Sequence, residues 1–108
     1  MILFKQRFID QILSGEKTST RRVGKKRWNV GSIHQFKTSY YSKTFASAEI
    51  KSVRREKLGD ISLADARSEG FGSPDEFVQS FADIHKTEVS AELAQADVWV
   101  IDFVLTDL

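Results

Sequence analysis

Cysteine is absent from the 108 residues, proline occurs once, and histidine occurs twice, at His34 and His85. Without cysteine there is no disulfide, no thiolate metal site and no cysteine nucleophile, and two separated histidines are a poor start for a zinc site. No metal and no cofactor are therefore expected, and any chemistry must rest on Lys, Ser, Thr, Asp, Glu, Tyr or Arg. No run approaches the roughly 18 apolar residues that span a bilayer. Lys5 and Arg7 interrupt the first apolar stretch, unlike a secretory signal, so a cytoplasmic protein with no membrane partner is expected. What remains is ordinary globular material, 41% hydrophobic and 29% charged, of a length that suits a single domain over residues 1–108.

The net charge of +1 hides a strong asymmetry. Residues 1–57 hold fourteen Lys and Arg against four Asp and Glu, whereas residues 58–108 hold two against eleven. The densest stretch contains Lys17, Arg21, Arg22, Lys25, Lys26 and Arg27 with no acid among them. Two readings follow: a basic face for an anionic partner, or two halves that complement each other across the folded surface.

The spacing predicts a short strand over Met1–Phe4, then a helix carrying Phe8, Ile12 and Leu13 that ends at Gly15. Lys17–Arg22 lacks helical periodicity and reads as a loop entering an extended strand. A basic turn around Trp28 leads to a strand through Ile33, Phe36 and Thr38, and Ala46, Ala48 and Ile50 alternate as in a half-buried strand running to about Arg55. Ser62 caps a short helix with Leu63 and Ala66 inward, ended by Gly70. Ser73, Pro74 and Glu76 form a capping box for a helix over about 74–85, with Phe77, Val78, Phe81 and Ile84 on one face. A helical turn near Ser90–Leu93 precedes Val98–Leu105, which is apolar on both pleat faces except at Asp102, as in a central strand covered on both sides. The expected architecture is α+β: a small mixed sheet curled toward a barrel, with two or three short helices packed on it.

Chemistry concentrates after Gly15. If Thr18–Arg22 is extended, Thr18, Thr20 and Arg22 share one face while Ser19 and Arg21 share the other. Two hydroxyls and a guanidinium fork suit a phosphate, a carboxylate or a nucleobase edge, and a lysine with a lowered pKa can act as base toward a threonine hydroxyl. A solvated basic edge strand is the plain alternative. The glycines of a phosphate-binding G-x-x-x-x-G-K loop are missing.

The run Phe4–Arg22, F-K-Q-R-F-I-D-Q-I-L-S-G-E-K-T-S-T-R-R, resembles the signature of the ASCH domain family. Within that family it is most similar to the short bacterial N(4)-acetylcytidine amidohydrolases, through Q-R-F, I-L-x-G and K-T-x-T-x-R. The likeness continues through Ala66–Phe71, Ala82–Ile84 and Trp99–Phe103. It departs at the basic loop Gly24–Val30 and in the longer segment Lys86–Ala96. The resemblance implies a PUA-like β-barrel with a cleft, and a modified nucleoside or RNA as partner. Its catalytic lysine, threonine and glutamate fall on Lys17, Thr20 and Glu69. The implied reaction removes the acetyl group from N(4)-acetylcytidine or a related acylated nucleoside, with Thr20 as nucleophile, Lys17 as base, and Glu69 orienting the lysine and raising its pKa. Thr18, Arg21, Arg22 and Trp28 would hold substrate, Trp28 either stacking on a base or plugging the barrel. The alternative is an RNA-binding module, without chemistry or with weak ribonuclease activity, using Lys25, Lys26, Arg27 and Tyr40. A third reading is a partner-binding adaptor with an exposed patch of Tyr40, Tyr41 and Phe45.

Overall fold

The computed structural model describes residues 1–107. Five strands, β1 (Ile2–Leu3), β2 (Ser19–Arg22), β3 (Ile33–Lys37), β4 (Ala46–Lys57) and β5 (Asp97–Thr106), form one mixed sheet in the order β1-β3-β4-β5-β2. β1 pairs with β3 in parallel and the other neighbours are antiparallel. The helices are α1 (Ile9–Ser14), α2 (Leu63–Ser68), α3 (Pro74–Ile84) and α4 (Ala91–Ala94). The last of these is the helical turn expected near Ser90–Leu93, and it is capped: Ser90 Oγ accepts from the Leu93 N–H at 3.0 Å. The Ser62 and Ser73 caps form as their spacing predicts, onto Asp65 and Glu76.

β4 and β5 are the long central pair, and their register shows why the sheet curls. Ile50 faces Phe103 but Ser52 faces Asp102, so Lys51 is an extra residue in β4. Before this bulge Ala46, Ala48 and Ile50 point inward; after it the inward phase moves to Val53, opposite Ile101. A bulge increases local twist and bends the strand, which turns a flat ribbon toward a barrel. It also lets an unbroken strand serve an apolar pattern that changes phase.

Two cores flank β5. On one face Ile101 and Phe103 join Phe4, Phe36 and Ile50, with Phe36 in contact with Phe4 and Phe103 at ring-centroid separations of 4.7 and 4.9 Å. On the other, Val98 and Val100 pack with Leu58, Ala66, Phe77 and Phe81 beneath α2 and α3. The helices cover only the first half of that face, so Val104 is exposed and the expected two-sided cover stops short of it. Leu63 is likewise exposed rather than inward, since α2 turns Ala66 and the residue after its end, Glu69, to the interior.

Candidate active site

The order of short elements positions the key side chains. Gly15 closes α1 in the left-handed conformation, φ 83°, which a residue with a Cβ adopts only under strain. The chain then reverses, with the Lys17 N–H on the Gln11 carbonyl at 2.9 Å and the Thr18 N–H on the Ser68 carbonyl at 2.7 Å. β2 therefore starts pinned to the C-terminal end of α2. In the ladder Thr20 faces Ile101 and Arg22 faces Trp99, while Arg21 faces Val100. The alternation read from sequence places Thr20 and Arg22 toward the barrel interior and Arg21 toward the helices.

Lys17 and Glu69 are both almost fully buried, at 3% and 2% exposure, and meet directly. Lys17 Nζ donates to Glu69 Oε1 and to the Glu69 carbonyl, each at 2.8 Å. The other carboxylate oxygen of Glu69 accepts from Arg21 Nη1 at 3.0 Å. Behind it, Arg21 Nη2 donates to Glu56 at 3.1 Å and Asp65 at 3.0 Å, and Arg54 bonds the same two carboxylates from the surface. Arg21 is thus engaged by three carboxylates drawn from β4, α2 and the end of α2. Its two Nη groups hold these carboxylates, Glu69 among them, while its buried Nε has no partner among the described residues.

Burial pushes the Lys17 ammonium below its ordinary pKa; Glu69 pulls it back up, and the Arg22 and Arg21 charges push it further down. The sequence expectation had Glu69 raising this pKa and neighbouring cations lowering it, and left out burial. Both signs are right, but burial of the amine outweighs the pull of Glu69. Lys17 also sits over the Phe8 ring, 4.8 Å from its centroid.

A cleft of about 510 Å³ opens where the two sheet edges, the end of β1 and β2, approach each other. Lys17, Thr20, Arg21, Arg22, Trp28 and Glu69 all line it. Thr20 is buried, and its Oγ1 accepts from Arg22 Nε at 3.1 Å. No hydrogen bond joins Lys17 to Thr20 among the described residues. Trp28 is 8% exposed and packs into the core, so it is chiefly a plug whose edge reaches the cleft. Arg27 is at the mouth.

Other expected residues lie elsewhere. Thr18 is exposed and does not line the cleft, because at the first position before β2 its backbone, not its side chain, makes the connections. Lys25 and Lys26 are exposed on the loop beside it, and Tyr40 meets Tyr41 edge-to-face in an exposed turn, ring centroids 5.0 Å apart. Phe45 is drawn into the core against Phe4 and Phe36, so the three-residue aromatic patch is reduced to two tyrosines.

Sequence reasoning missed most of the apolar wall: Phe4, Phe8, Phe71, Phe77 and Phe81. Phe77 and Phe81 carry a clear helical stripe, but a stripe toward a core and one toward a cleft look alike in sequence. It also missed His85, which stacks on Phe81 at 4.0 Å and whose Nδ1 lies 2.9 Å from the Phe81 carbonyl. A carbonyl only accepts, so that contact assigns the proton to Nδ1 and leaves Nε2 as an acceptor in the neutral ring. Among the described residues no group of three His, Asp or Glu is arranged to hold a metal ion, and no helix is long and apolar enough to cross a membrane.

No protein-family model matches the chain, and no curated protein is similar enough to match. Solved structures do match. An ASCH domain from Lactobacillus crispatus is 20% identical, with a TM-score of 0.64 over 90% of this chain and 69% of that one. A protein from Enterococcus faecalis is 16% identical, with a TM-score of 0.70 over 94% and 68%. A variant of the ASCH protein from Zymomonas mobilis is 15% identical, with a TM-score of 0.65 over 98% and 67%.

Proposed function

We propose that this chain, which has the PUA-like fold of ASCH domains, is an amide hydrolase acting on an acylated cytosine nucleoside such as N(4)-acetylcytidine. The single observation that carries the reading is the placement of Lys17, buried against Glu69 in the same cleft as the Thr20 hydroxyl. Burial lowers its pKa, and an amine that has given up its proton has a lone pair with which to act as base. The cleft also holds a buried threonine hydroxyl whose oxygen accepts from Arg22. Its volume falls in the range of small-molecule sites, with aromatic walls suited to a base.

The steps follow from these groups. Thr20 Oγ bonds to the acetyl carbonyl carbon as its proton passes to the Lys17 amine, directly after a side-chain rotation or through one water. The intermediate collapses by breaking the bond to the exocyclic nitrogen, and Lys17 returns the proton to the departing amine. Water then cleaves the threonine ester with the same base, releasing acetate. Arg22, hydrogen-bonded to Thr20, is positioned to donate to the oxyanion formed at that carbon.

Incubation with N(4)-acetylcytidine is expected to release cytidine and acetate; no turnover under conditions where the protein is folded would sink the reading. The rate should rise with pH through a limb below the ordinary lysine range, since the base works only when neutral. Glu69→Gln removes the one influence that raises the Lys17 pKa, so that limb should move to lower pH while the maximal rate falls. Coincident profiles would remove Glu69 from the site.

A second reading, RNA binding, is favoured by the exposed Lys25 and Lys26, which have no carboxylate partner among the described residues. Changing Lys25, Lys26 and Arg27 to Ala should then flatten the salt dependence of RNA affinity by about 0.7–0.9 log units per lost phosphate contact. An unchanged slope would leave the enzyme reading alone.

A further inference from the structure

Glu69 stands between two buried cations. One of its carboxylate oxygens accepts from Lys17 Nζ at 2.8 Å and the other from Arg21 Nη1 at 3.0 Å. Arg21 reaches this place from β2 with a fully buried side chain, and its Nη2 is held on the far side by Glu56 of β4 and Asp65 of α2. The Phe77 ring of α3 lies against it, its centroid 5.6 Å from Cζ. The guanidinium is therefore fixed against Glu69 from both ends.

Stability alone does not account for this arrangement. Replacing a buried charge network as a whole by apolar residues is often neutral or stabilising. Here one charged donor, Arg21 Nε, is even left buried without a partner among the described residues. The inner end of the network is the Lys17 amine, which lines the cleft beside Thr20.

A general base has to exist in both protonation states. In an isolated buried pair of lysine and glutamate, loss of the lysine proton leaves a carboxylate in the interior with no counter-charge, and that cost holds the proton on the amine. Arg21 changes this balance. Once Lys17 is neutral, Glu69 still faces a guanidinium that stays protonated at any working pH, and Arg21 still faces Glu56 and Asp65. The charges that act on Lys17 are Glu69 at the end of α2, which favours the ammonium, and Arg21 and Arg22 on β2, which oppose it. Of the two arginines only Arg21 is bonded to Glu69; Arg22 is bonded to Thr20.

We infer that Arg21 is a positioning residue for the Lys17 base: by holding the second oxygen of Glu69 it keeps that carboxylate paired whether or not Lys17 carries its proton, so that the lysine can both accept and release one. The part of Arg21 in catalysis rests on the proposed hydrolase reading, whereas its hold on the Lys17 proton is a property of the folded protein.

Two measurements follow that proton: the pH dependence of N(4)-acetylcytidine hydrolysis, and an NMR titration of the lysine Cε signals in isotope-labelled protein, the Lys17 signal being the one absent from Lys17→Arg. Arg21→Met leaves Glu69 to Lys17 alone and should move both the titration and the rate limb up by at least about one pH unit, the effect of a charge at this range. Turnover below the limb then falls about ten-fold per unit and recovers at high pH, which a merely loosened fold does not do. Asp65→Asn keeps Arg21 but removes one of its outer carboxylates, so it should move both in the opposite direction, by less, since Asp65 acts on Lys17 from beyond Arg21. Should Arg21→Met fail to fold, the Arg21→Met, Asp65→Asn double variant, in which Glu56 is left to Arg54, should still show the upward move, because the nearer charge decides the sign. A Lys17 titration that stays in place in these variants, or moves down when Arg21 is removed, would overturn the inference whatever the activity. If the titration moves and the rate limb does not, Lys17 is not the base and Arg21 has no part in the reaction. If the folded parent does not turn over N(4)-acetylcytidine while the titration moves as stated, the hydrolase reading fails and the hold of Arg21 on the Lys17 proton stands.

Discussion

Thr20→Ala should lower the rate of acyl removal at least about 10³-fold, because a methyl group offers neither nucleophile nor proton. Thr20→Ser should retain part of the activity, since it keeps the hydroxyl. The informative partner is Lys17→Arg. Arginine keeps the positive charge beside Glu69, so it tests the base separately from the ion pair. A guanidinium stays protonated at any working pH, so Lys17→Arg should fold and still lose activity by at least about 10²-fold, the usual range for a general base. Steady-state kinetics beside thermal melts check both variants. Activity within a few-fold of the parent in either Thr20→Ala or Lys17→Arg would reassign this buried cluster to a purely structural role, an ammonium capping the end of α2.

Arg21→Met should be the most damaging change to the fold. The side chain is fully buried and is held by Glu56, Asp65 and Glu69, so its removal leaves carboxylates that lose their main counter-charge. Breaking a buried ion pair from one side costs about 3–5 kcal/mol, which for a domain of this size lowers the thermal midpoint by roughly 15–30 °C. Arg54 contacts two of the same carboxylates from the surface. Its truncation should cost no more than about 1 kcal/mol, since water replaces it. The network also makes an acid-sensitive component of stability. Partial burial pushes the Asp65 carboxyl up, but hydrogen bonds and charge from Arg54 and Arg21 outweigh this and hold it below the usual carboxylate range. A depressed folded-state pKa contributes stability above the unfolded value near 3.9, and this is lost as pH falls through the lower folded value. Denaturant melts of both variants at neutral and acid pH test the ranking. Equal losses for Arg21→Met and Arg54→Ala would mean that burial of Arg21 matters little.

Local pattern carried much of the architecture. Gly15 after Leu13 and Ser14 marked the end of α1, Ser73 and Pro74 marked the start of α3, and the Thr, Ser, Thr, Arg, Arg sequence placed Thr20 and Arg22 on one side of an extended strand. These readings depend on neighbours within a few residues, where helix and strand periods and capping bonds act. The same reach brought Lys17 and Thr20 into one short segment, and the likeness to ASCH sequences singled out Glu69.

Tertiary structure decided what those residues experience. Alternation puts Arg21 and Arg22 on opposite faces of β2 but says nothing of what each face meets: one is enclosed by carboxylates and the other faces a cleft. The difference is set by Glu56, Asp65 and Glu69, all more than thirty positions away. The Lys51 bulge, the aromatic wall and the downward shift of Lys17 have the same origin. Burial and counter-charge are sums over everything that packs around a group, and most of what packs around this site comes from distant parts of the chain.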